Sequence, residues 1–169
     1  MPTGGGAMLI RRARPEETDA VRALVQRVVD GTYGGLWAPP PVPIGDDDWS
    51  RSWVAVTAGH LAGMVLTAEE WIDDLWVLRE HQGQGIGRAL LRQGEAEIAA
   101  RGHSILRLRV VKANAAAIAF YGHFGWRAHR EVPHDSLPIT FIEMVKAPAR
   151  PQPHPPGVAV PGCTAARSV

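Results

Sequence analysis

The sequence predicts a single domain of the mixed α/β class. Its 169 residues include 46% hydrophobic and 21% charged residues, which is typical of one globular domain with a full core. Apolar residues recur at both helical and alternating spacing, and segments of the two kinds follow each other along the chain without an internal repeat. We therefore expect a domain that combines strands and helices.

The two ends of the chain differ in composition from the middle. Residues 1–7 are rich in glycine, and residues 147–169 carry many prolines without hydrophobic periodicity. We expect both ends to be disordered. This leaves residues 8–146 as the folded domain.

The overall composition excludes several classes of partner and site. The 18 Lys and Arg residues nearly balance the 17 Asp and Glu residues, so neither nucleic acid nor a membrane surface is predicted as the main partner. The chain shows no apolar leader and no apolar run long enough to span a membrane, which predicts a cytoplasmic protein. A single cysteine, Cys163, excludes a disulfide framework and a thiolate zinc cluster.

The N-terminal part reads as a strand, a helix and a long loop. A short strand begins at Met8, and the segment PEETDAVRALVQRVV follows as a helix that Pro15 opens. Its predicted apolar face consists of Val21, Leu24, Val25, Val28 and Val29. Residues 30–50 hold too many glycines and prolines for a long regular element, although Trp37 and Trp49 suggest that the loop packs down.

Three strands are predicted in the middle of the chain. The segments SWVAVT and LAGMVLTAEE flank Ala58, Gly59 and His60 and indicate an antiparallel hairpin. The segment WIDDLWVL follows as a further apolar strand, and three glycines come directly after it.

The C-terminal part predicts two helices and three strands. Helical spacing from Gly85 to Arg101 indicates a helix, which Gly102 ends. The alternating segment SILRLRV is the next strand, and Asn114 caps an alanine-rich helix, NAAAIAFYGHF. The segments GWRAHREV and ITFIEMVK supply the last two strands.

Gly83, Gly85 and Gly87 lie between a strand and a helix, where bare backbone N–H groups can bind an anion. A P-loop would need Lys and then Ser or Thr after its last glycine, but Arg88 and Ala89 follow here. A dinucleotide fingerprint needs a different glycine spacing and an acidic residue about 20 positions later, where this chain has Arg107.

The remaining pattern, Q-x-x-G-x-G at Gln82, Gly85 and Gly87, resembles the signature of the GNAT superfamily of N-acetyltransferases. The segments IDDLWVLREHQGQGIGRALL and NAAAIAFYGHFGW are also similar to motifs of that family, and the resemblance covers roughly residues 8–146. It implies a mixed, mostly antiparallel twisted sheet with flanking helices and a splay between strands 4 and 5. It also implies acetyl-coenzyme A as cosubstrate, without a metal.

The resemblance assigns cofactor-binding roles to particular positions. In the family, the backbone of the fourth strand holds the pantetheine arm, and the loop N–H groups bind the pyrophosphate. The positions that correspond are Trp76, Val77, Leu78, Gln82, Gly83, Gln84, Gly85, Ile86, Gly87, Arg88, Asn114 and Tyr121. Asn114 both caps its helix and contacts the cofactor in this scheme.

Two residues are predicted to be catalytic. Tyr121 corresponds to the tyrosine with which many family members protonate the coenzyme A thiolate, although an aromatic residue at that position could serve packing alone. Asp73 lies where some members carry a general base, and alternation predicts that it shares a sheet face with Leu75 and Val77. The neighbouring acids leave open a solvated strand end instead.

Some details of the acceptor side stay open at the sequence level. Members that acetylate protein N-termini can use a Glu on the fifth strand, where this chain has Arg109, and this departure counts against that role. The run Asp46 to Asp48 is either a solvated charge run or an attractor for a cationic amine.

The seven histidines show no zinc spacing, so we predict no metal. The predicted acceptor is an amine of a small molecule or peptide, and a homodimer is left open. The predicted transfer is direct, in a ternary complex, because the only cysteine lies in the tail. The alternative functions are a catalytically silent acyl-coenzyme A-binding regulatory module and, more remotely, a nicotinamide oxidoreductase.

Overall fold

A computed structural model describes residues 7–35, 44–45 and 47–149. Strands β1 to β7 comprise Leu9–Arg12, Trp53–Thr57, His60–Ala68, Trp71–Val77, Leu106–Val111, Arg127–Pro133 and Thr140–Lys146. Helices α1 to α3 comprise Thr18–Tyr33, Ile86–Ala100 and Ala115–His123. The strands form one sheet in the order β1-β2-β3-β4-β5-β7-β6, so the predicted mixed α/β fold is confirmed.

The N-terminal helix begins later and extends further than the sequence analysis predicts. Pro15–Glu17 form a 3₁₀ turn, and α1 begins at Thr18 instead of at Pro15. Helix α1 passes Gly31 and ends at Tyr33, because the Tyr33 side chain is buried in the core at the end of that helix. The prediction that Trp49 packs down is confirmed, since its side chain is 3% exposed. Trp37, Asp46, Cys163 and the outermost residues of both predicted disordered ends lie outside the described residues.

The hairpin between β2 and β3 is stabilised by its turn residues. Ala58 and Gly59 have φ angles of 48° and 82°. Positive φ at both central residues is the geometry of the two-residue turn whose twist suits an antiparallel hairpin. The predicted hairpin at Ala58–His60 is therefore confirmed.

The helices cover the two faces of the sheet unequally. Buried side chains of α1, among them Val21 and Val25, pack against Val54, Met64 and Leu66 of the sheet. The side chains of α2 and α3 pack on the other face in a second core cluster, which includes Ile86, Leu90, Leu91, Ile98, Leu108, Tyr121 and Met144. Within the described residues, no helix combines the length and the apolarity that a membrane span requires.

The sheet opens between β4 and β5. These two strands are parallel, and they pair only at Trp71 with Arg107 and at Ile72 with Leu108. Beyond that point β5 pairs with β7 on its other side, while β4 continues to Val77 beside β3. The predicted splay is present, and it leaves a gap in the middle of the sheet.

A β-bulge in β4 changes the placement of Asp73. Leu66 of β3 pairs with Asp74, whereas the next residue, Thr67, pairs with Ile72. Asp73 is therefore the extra residue of the bulge, and alternation is interrupted there. The prediction that Asp73 shares a sheet face with Leu75 and Val77 is wrong, because it assumed unbroken alternation along the strand.

Candidate active site

A cleft of about 1010 Å³ lies where β4 and β5 diverge. Helix α1, the glycine loop and α3 border it. The predicted site residues that line it are Asp73, Trp76, Val77, Gln82, Gly83, Gly85, Gly87, Arg88, Asn114 and Tyr121. Leu78 and Ile86 are buried beside the cleft, and Gln84 does not line it.

The glycine loop adopts a conformation that favours glycine. Gly83 and Gly85 have φ angles of 74° and 83°, in the left-handed region, and Gly85 is the N-cap of α2. A Cβ at either position would meet no atom within 4 Å. The loop therefore presents its backbone to open space at the start of a helix.

The loop also offers unsatisfied donors. Among the described residues, none accepts a hydrogen bond from the backbone N–H groups of residues 83–88. The first N–H groups of a helix have no partner within the helix, and they carry partial positive charge. Together these groups form a site that can bind a phosphate or pyrophosphate.

Two glutamine side chains stabilise the loop by hydrogen bonds to nearby backbone carbonyl groups. Gln82 donates from Nε2 to the Val77 carbonyl oxygen at 3.2 Å, and Gln84 donates from Nε2 to the Glu80 carbonyl oxygen at 3.1 Å. These two glutamines thus hold the loop, while backbone groups remain open to a ligand.

The backbone of β4 is only partly free to bind a ligand. The Leu78 N–H donates to the Ala62 carbonyl oxygen of β3 at 2.9 Å. Because successive residues of a strand direct their peptide groups to opposite edges, those of Val77 face the gap toward β5. Of the three predicted backbone positions, Val77 is the one whose peptide groups face the cleft.

Asn114 connects α3 with α1. Its Oδ1 accepts a hydrogen bond from the Ala117 N–H at 3.0 Å, which confirms the predicted helix cap. Its Nδ2 donates to the Tyr33 hydroxyl at 2.9 Å. Tyr33 also packs edge-on against Trp76, with ring centroids 6.2 Å apart. The contact of Asn114 with a cofactor stays a prediction.

Tyr121 lies in the aromatic wall of the cleft. Its side chain is 9% exposed and packs against Phe120 and Trp126, with ring centroids 5.3 and 6.2 Å away. Burial raises the pKa of the Tyr121 hydroxyl above its usual range, with smaller contributions from Tyr33 and Asp74. The phenol therefore keeps its proton at neutral pH, and no described residue hydrogen-bonds to its hydroxyl.

Asp74 is a cleft residue that the sequence analysis did not single out. Burial raises its pKa to about 6, although the Trp76 indole N–H, which donates to Oδ1 at 2.6 Å, opposes this rise. Asp47 and Asp73 raise the pKa further. A carboxylate with this pKa is largely ionised at neutral pH and is a stronger base than an ordinary aspartate. The sequence signal that could have found it is the pair of aspartates before the apolar end of β4.

Asp73 has a more open environment than Asp74. Its side chain is more exposed than that of Asp74. Partial burial and Asp47 still raise its pKa, while Arg51 and Arg101 lower it. The two neighbouring carboxylates therefore differ: Asp74 is held by a hydrogen bond inside the cleft, and Asp73 is at its margin.

The Arg109 side chain is engaged by its own sheet. Its guanidinium lies 5.0 Å from the ring centroid of Trp71, and its Nε lies 3.8 Å from Oε2 of Glu143. Glu143 is 1% exposed and also accepts hydrogen bonds from Arg107 and Arg130. Within the described parts of the chain, no group of three or more His, Cys, Asp or Glu side chains could hold a metal ion.

Comparison with known families agrees with this geometry. The model of the acetyltransferase (GNAT) family matches residues 22–126. The chain is 39% identical over 89 residues to the streptothricin acetyltransferase of Streptomyces lavendulae, over 48% of this chain and 47% of the relative. The match therefore spans about half the length of that relative.

Solved structures show the same fold. The crystal structure of a nourseothricin acetyltransferase superposes with a TM-score of 0.65 at 26% identity, covering 85% of this chain and 99% of the other. An N-acetyltransferase of Thermoplasma acidophilum, solved in complex with coenzyme A, superposes with a TM-score of 0.65 at 17% identity, covering 83% of this chain and 99% of the other.

Proposed function

Because this chain belongs to the acetyltransferase (GNAT) family, we propose that it transfers an acetyl group from acetyl-coenzyme A to a primary amine of a small molecule or peptide. The observation that carries the proposal is the set of chemical groups that line the cleft. One cavity combines open N–H groups of a glycine loop, the carboxylate of Asp74 and the phenol of Tyr121.

The residues present fit a coenzyme A molecule. The N–H groups of residues 83–88 suit its pyrophosphate, since Gly83 and Gly85 carry no side chain and no other atom occupies the space where their Cβ atoms would lie. The Val77 peptide groups face the gap between β4 and β5, where the pantetheine arm of the cosubstrate would lie. Bound acetyl-coenzyme A supplies the activated acetyl group as a thioester.

Asp74 is the proposed general base. An amine attacks a thioester only in its neutral form, so a group must take a proton from the bound ammonium or from the attacking nitrogen. Asp74 lines the cleft and its pKa is about 6, which leaves it ionised at neutral pH and able to accept that proton, directly or through water. The sequence analysis predicted Asp73 as the base, but its exposed position at the bulge supports that role less well than the position of Asp74 does.

Tyr121 is the proposed general acid. Its buried ring is fixed by two aromatic neighbours, and it lines the same cleft as Asp74. A protonated phenol in this position can donate its proton to the departing thiolate. Asp74 thus takes the proton of the acceptor amine, and Tyr121 gives a proton to the leaving thiolate.

The transfer proceeds by direct attack of the amine, without an acetylated enzyme. No cysteine is present among the described residues that line the cleft, and the single cysteine of the sequence, Cys163, belongs to the proline-rich tail outside the described residues. No thiol from the cleft segments is therefore available to carry the acetyl group.

A panel of amines tests the proposed function. The panel includes streptothricin, because a relative that is 39% identical over 89 residues is named for that acceptor. It also includes polyamines, amino acids and short peptides, and the readouts are thiol release from acetyl-coenzyme A and the mass of the acetylated product. We expect amine-dependent thiol release with at least one acceptor.

Replacing Gly85 by valine is expected to weaken coenzyme A binding by roughly tenfold or more. A Cβ at Gly85 points into open space above the loop, so the added methyl groups would occupy the place of the pyrophosphate. Isothermal calorimetry with coenzyme A measures the effect on a variant shown to be folded by circular dichroism.

Gly59 offers a matched control for this substitution. It has a φ of 82°, against 83° for Gly85, and a Cβ there also meets nothing within 4 Å. Gly59→Val in the β2–β3 turn therefore imposes a similar backbone strain without touching the cleft. Gly59→Val should keep the affinity for coenzyme A, and an unchanged affinity in Gly85→Val would argue against this loop as the pyrophosphate site.

A further inference from the structure

The indole of Trp76 makes a hydrogen bond that the acetyl transfer described above does not use. Its Nε1 donates to Oδ1 of Asp74 at 2.6 Å, and the two residues lie two positions apart on β4. Beyond the bulge, alternation along the strand places both side chains on the α1 face of the sheet, where their partners Leu66 and Met64 also lie.

The Trp76 ring is held in place by α1, which is in turn connected to the start of α3. Tyr33 of α1 packs edge-on against it at 6.2 Å, with an interplanar angle of 84°. The Tyr33 hydroxyl accepts a hydrogen bond from Asn114, which caps α3. A relay of contacts thus connects the start of α3 with the carboxylate of Asp74.

We propose that Trp76 is a positioning residue, which acts through its indole N–H to fix the orientation of the Asp74 carboxylate toward the acceptor amine. With Oδ1 occupied by the indole, Oδ2 is the oxygen that can take the proton. The inference rests on the proposed function, because it assigns to Asp74 the role of base. It adds a residue that acts on the reaction through Asp74.

Charged and titratable groups from several elements surround Asp74. Asp73 of the same strand and Asp47 of the preceding loop raise its pKa, and the hydrogen bond from Trp76 lowers it. Tyr121 of α3 interacts with it electrostatically. The other titratable groups that line the cleft are Tyr33 of α1, Arg88 of α2, Arg109 of β5, His123 of α3 and His134 after β6.

Substituting Trp76 by phenylalanine removes the donor and keeps an aromatic ring against Tyr33. A hydrogen bond to a carboxylate stabilises its ionised form, so its loss is expected to raise the pKa of Asp74. The acidic limb of the pH profile of kcat/KM should then move upward by about one pH unit. A role limited to packing would lower kcat/KM at all pH values without moving the limb.

Trp53 supplies the matched control. Its indole Nε1 also donates to a carboxylate, Oε2 of Glu97, at 3.0 Å, but neither residue lines the cleft. Trp53→Phe is therefore expected to leave the acidic limb where it is in the wild type. A limb that moves equally in both variants would overturn the proposal, as would an unmoved limb in Trp76→Phe.

A nuclear magnetic resonance titration tests the contact without substrate or activity. The chain has six tryptophans, and the Trp76 indole N–H signal is identified by its loss in Trp76→Phe. This signal should shift with a midpoint near the pKa of about 6 of Asp74, and the shift should vanish in Asp74→Asn. A signal that does not titrate in this range overturns the inference.

The two measurements separate failure of the inference from failure of the proposed function. If the indole signal titrates as expected but no amine is acetylated, the hydrogen bond exists and the proposed function fails together with the positioning role. If amines are acetylated and the limb is unmoved in Trp76→Phe, the function stands and the positioning role is refuted.

Discussion

Asp74→Asn is expected to lower kcat/KM by roughly 10²- to 10³-fold near neutral pH, within the usual range for a lost general base. Asparagine has nearly the shape of aspartate and can still accept the Trp76 hydrogen bond, but its amide cannot accept the proton of the amine. The acidic limb of the profile, expected near the pKa of about 6, should disappear as well. Steady-state kinetics from about pH 5 to 9 measure both effects.

Asp73→Asn is the matched comparison for this variant. It removes the adjacent carboxylate from the bulge of β4 and leaves Asp74 in place. Because Asp73 raises the pKa of Asp74, its removal is expected to move the acidic limb slightly downward, with a loss of activity below about tenfold. If Asp73→Asn is the variant that loses activity, the sequence-based prediction of the base was right and the proposal for Asp74 is refuted.

Tyr121→Phe is expected to lower kcat by roughly 10²-fold, the lower end for a lost general acid. The substitution keeps the ring and its packing against Phe120 and Trp126, so the affinity for coenzyme A should change little. The loss should be partial because a thiolate, whose conjugate acid has a pKa of about 8.5, can leave without assistance. It should be smaller for thioesters of more acidic thiols.

Single-turnover kinetics decide whether the hydroxyl of Tyr121 takes part in the chemical step. They separate acetyl transfer from product release, which kcat alone does not. Wild-type single-turnover rates in Tyr121→Phe at several pH values would show that the hydroxyl is structural. Water or another residue would then protonate the thiolate.

Local sequence signals were sufficient for most of the helices and strands, whereas the splay between β4 and β5 was implied by the family resemblance. Some features depend only on neighbours a few positions away and can therefore be predicted from the sequence. They include the Ala58–Gly59 turn, the Asn114 cap and the alternation in β5. The glycine loop was also predictable, because positive φ at Gly83 and Gly85 requires the residue type that is present.

The features that the sequence did not reveal depend on distant partners. The bulge at Asp73 arises from the register between β3 and β4, which no local pattern records, and it moved the best candidate base from Asp73 to Asp74. The hydrogen bond between Asn114 and Tyr33 joins residues 81 positions apart. The last turn of α1 forms because Tyr33 is buried there, which the glycines nearby did not suggest.

The central claim is that the cleft between β4 and β5 transfers acetyl groups to amines. The most direct test measures binding and turnover in one preparation of the full chain, by calorimetry with coenzyme A and by mass spectrometry of the acceptors after incubation with acetyl-coenzyme A. The account predicts that coenzyme A binds and that one acetylated amine appears for each thiol released. Coenzyme A binding without thiol release across the whole amine panel would contradict it, and would instead indicate a catalytically silent acyl-coenzyme A-binding module.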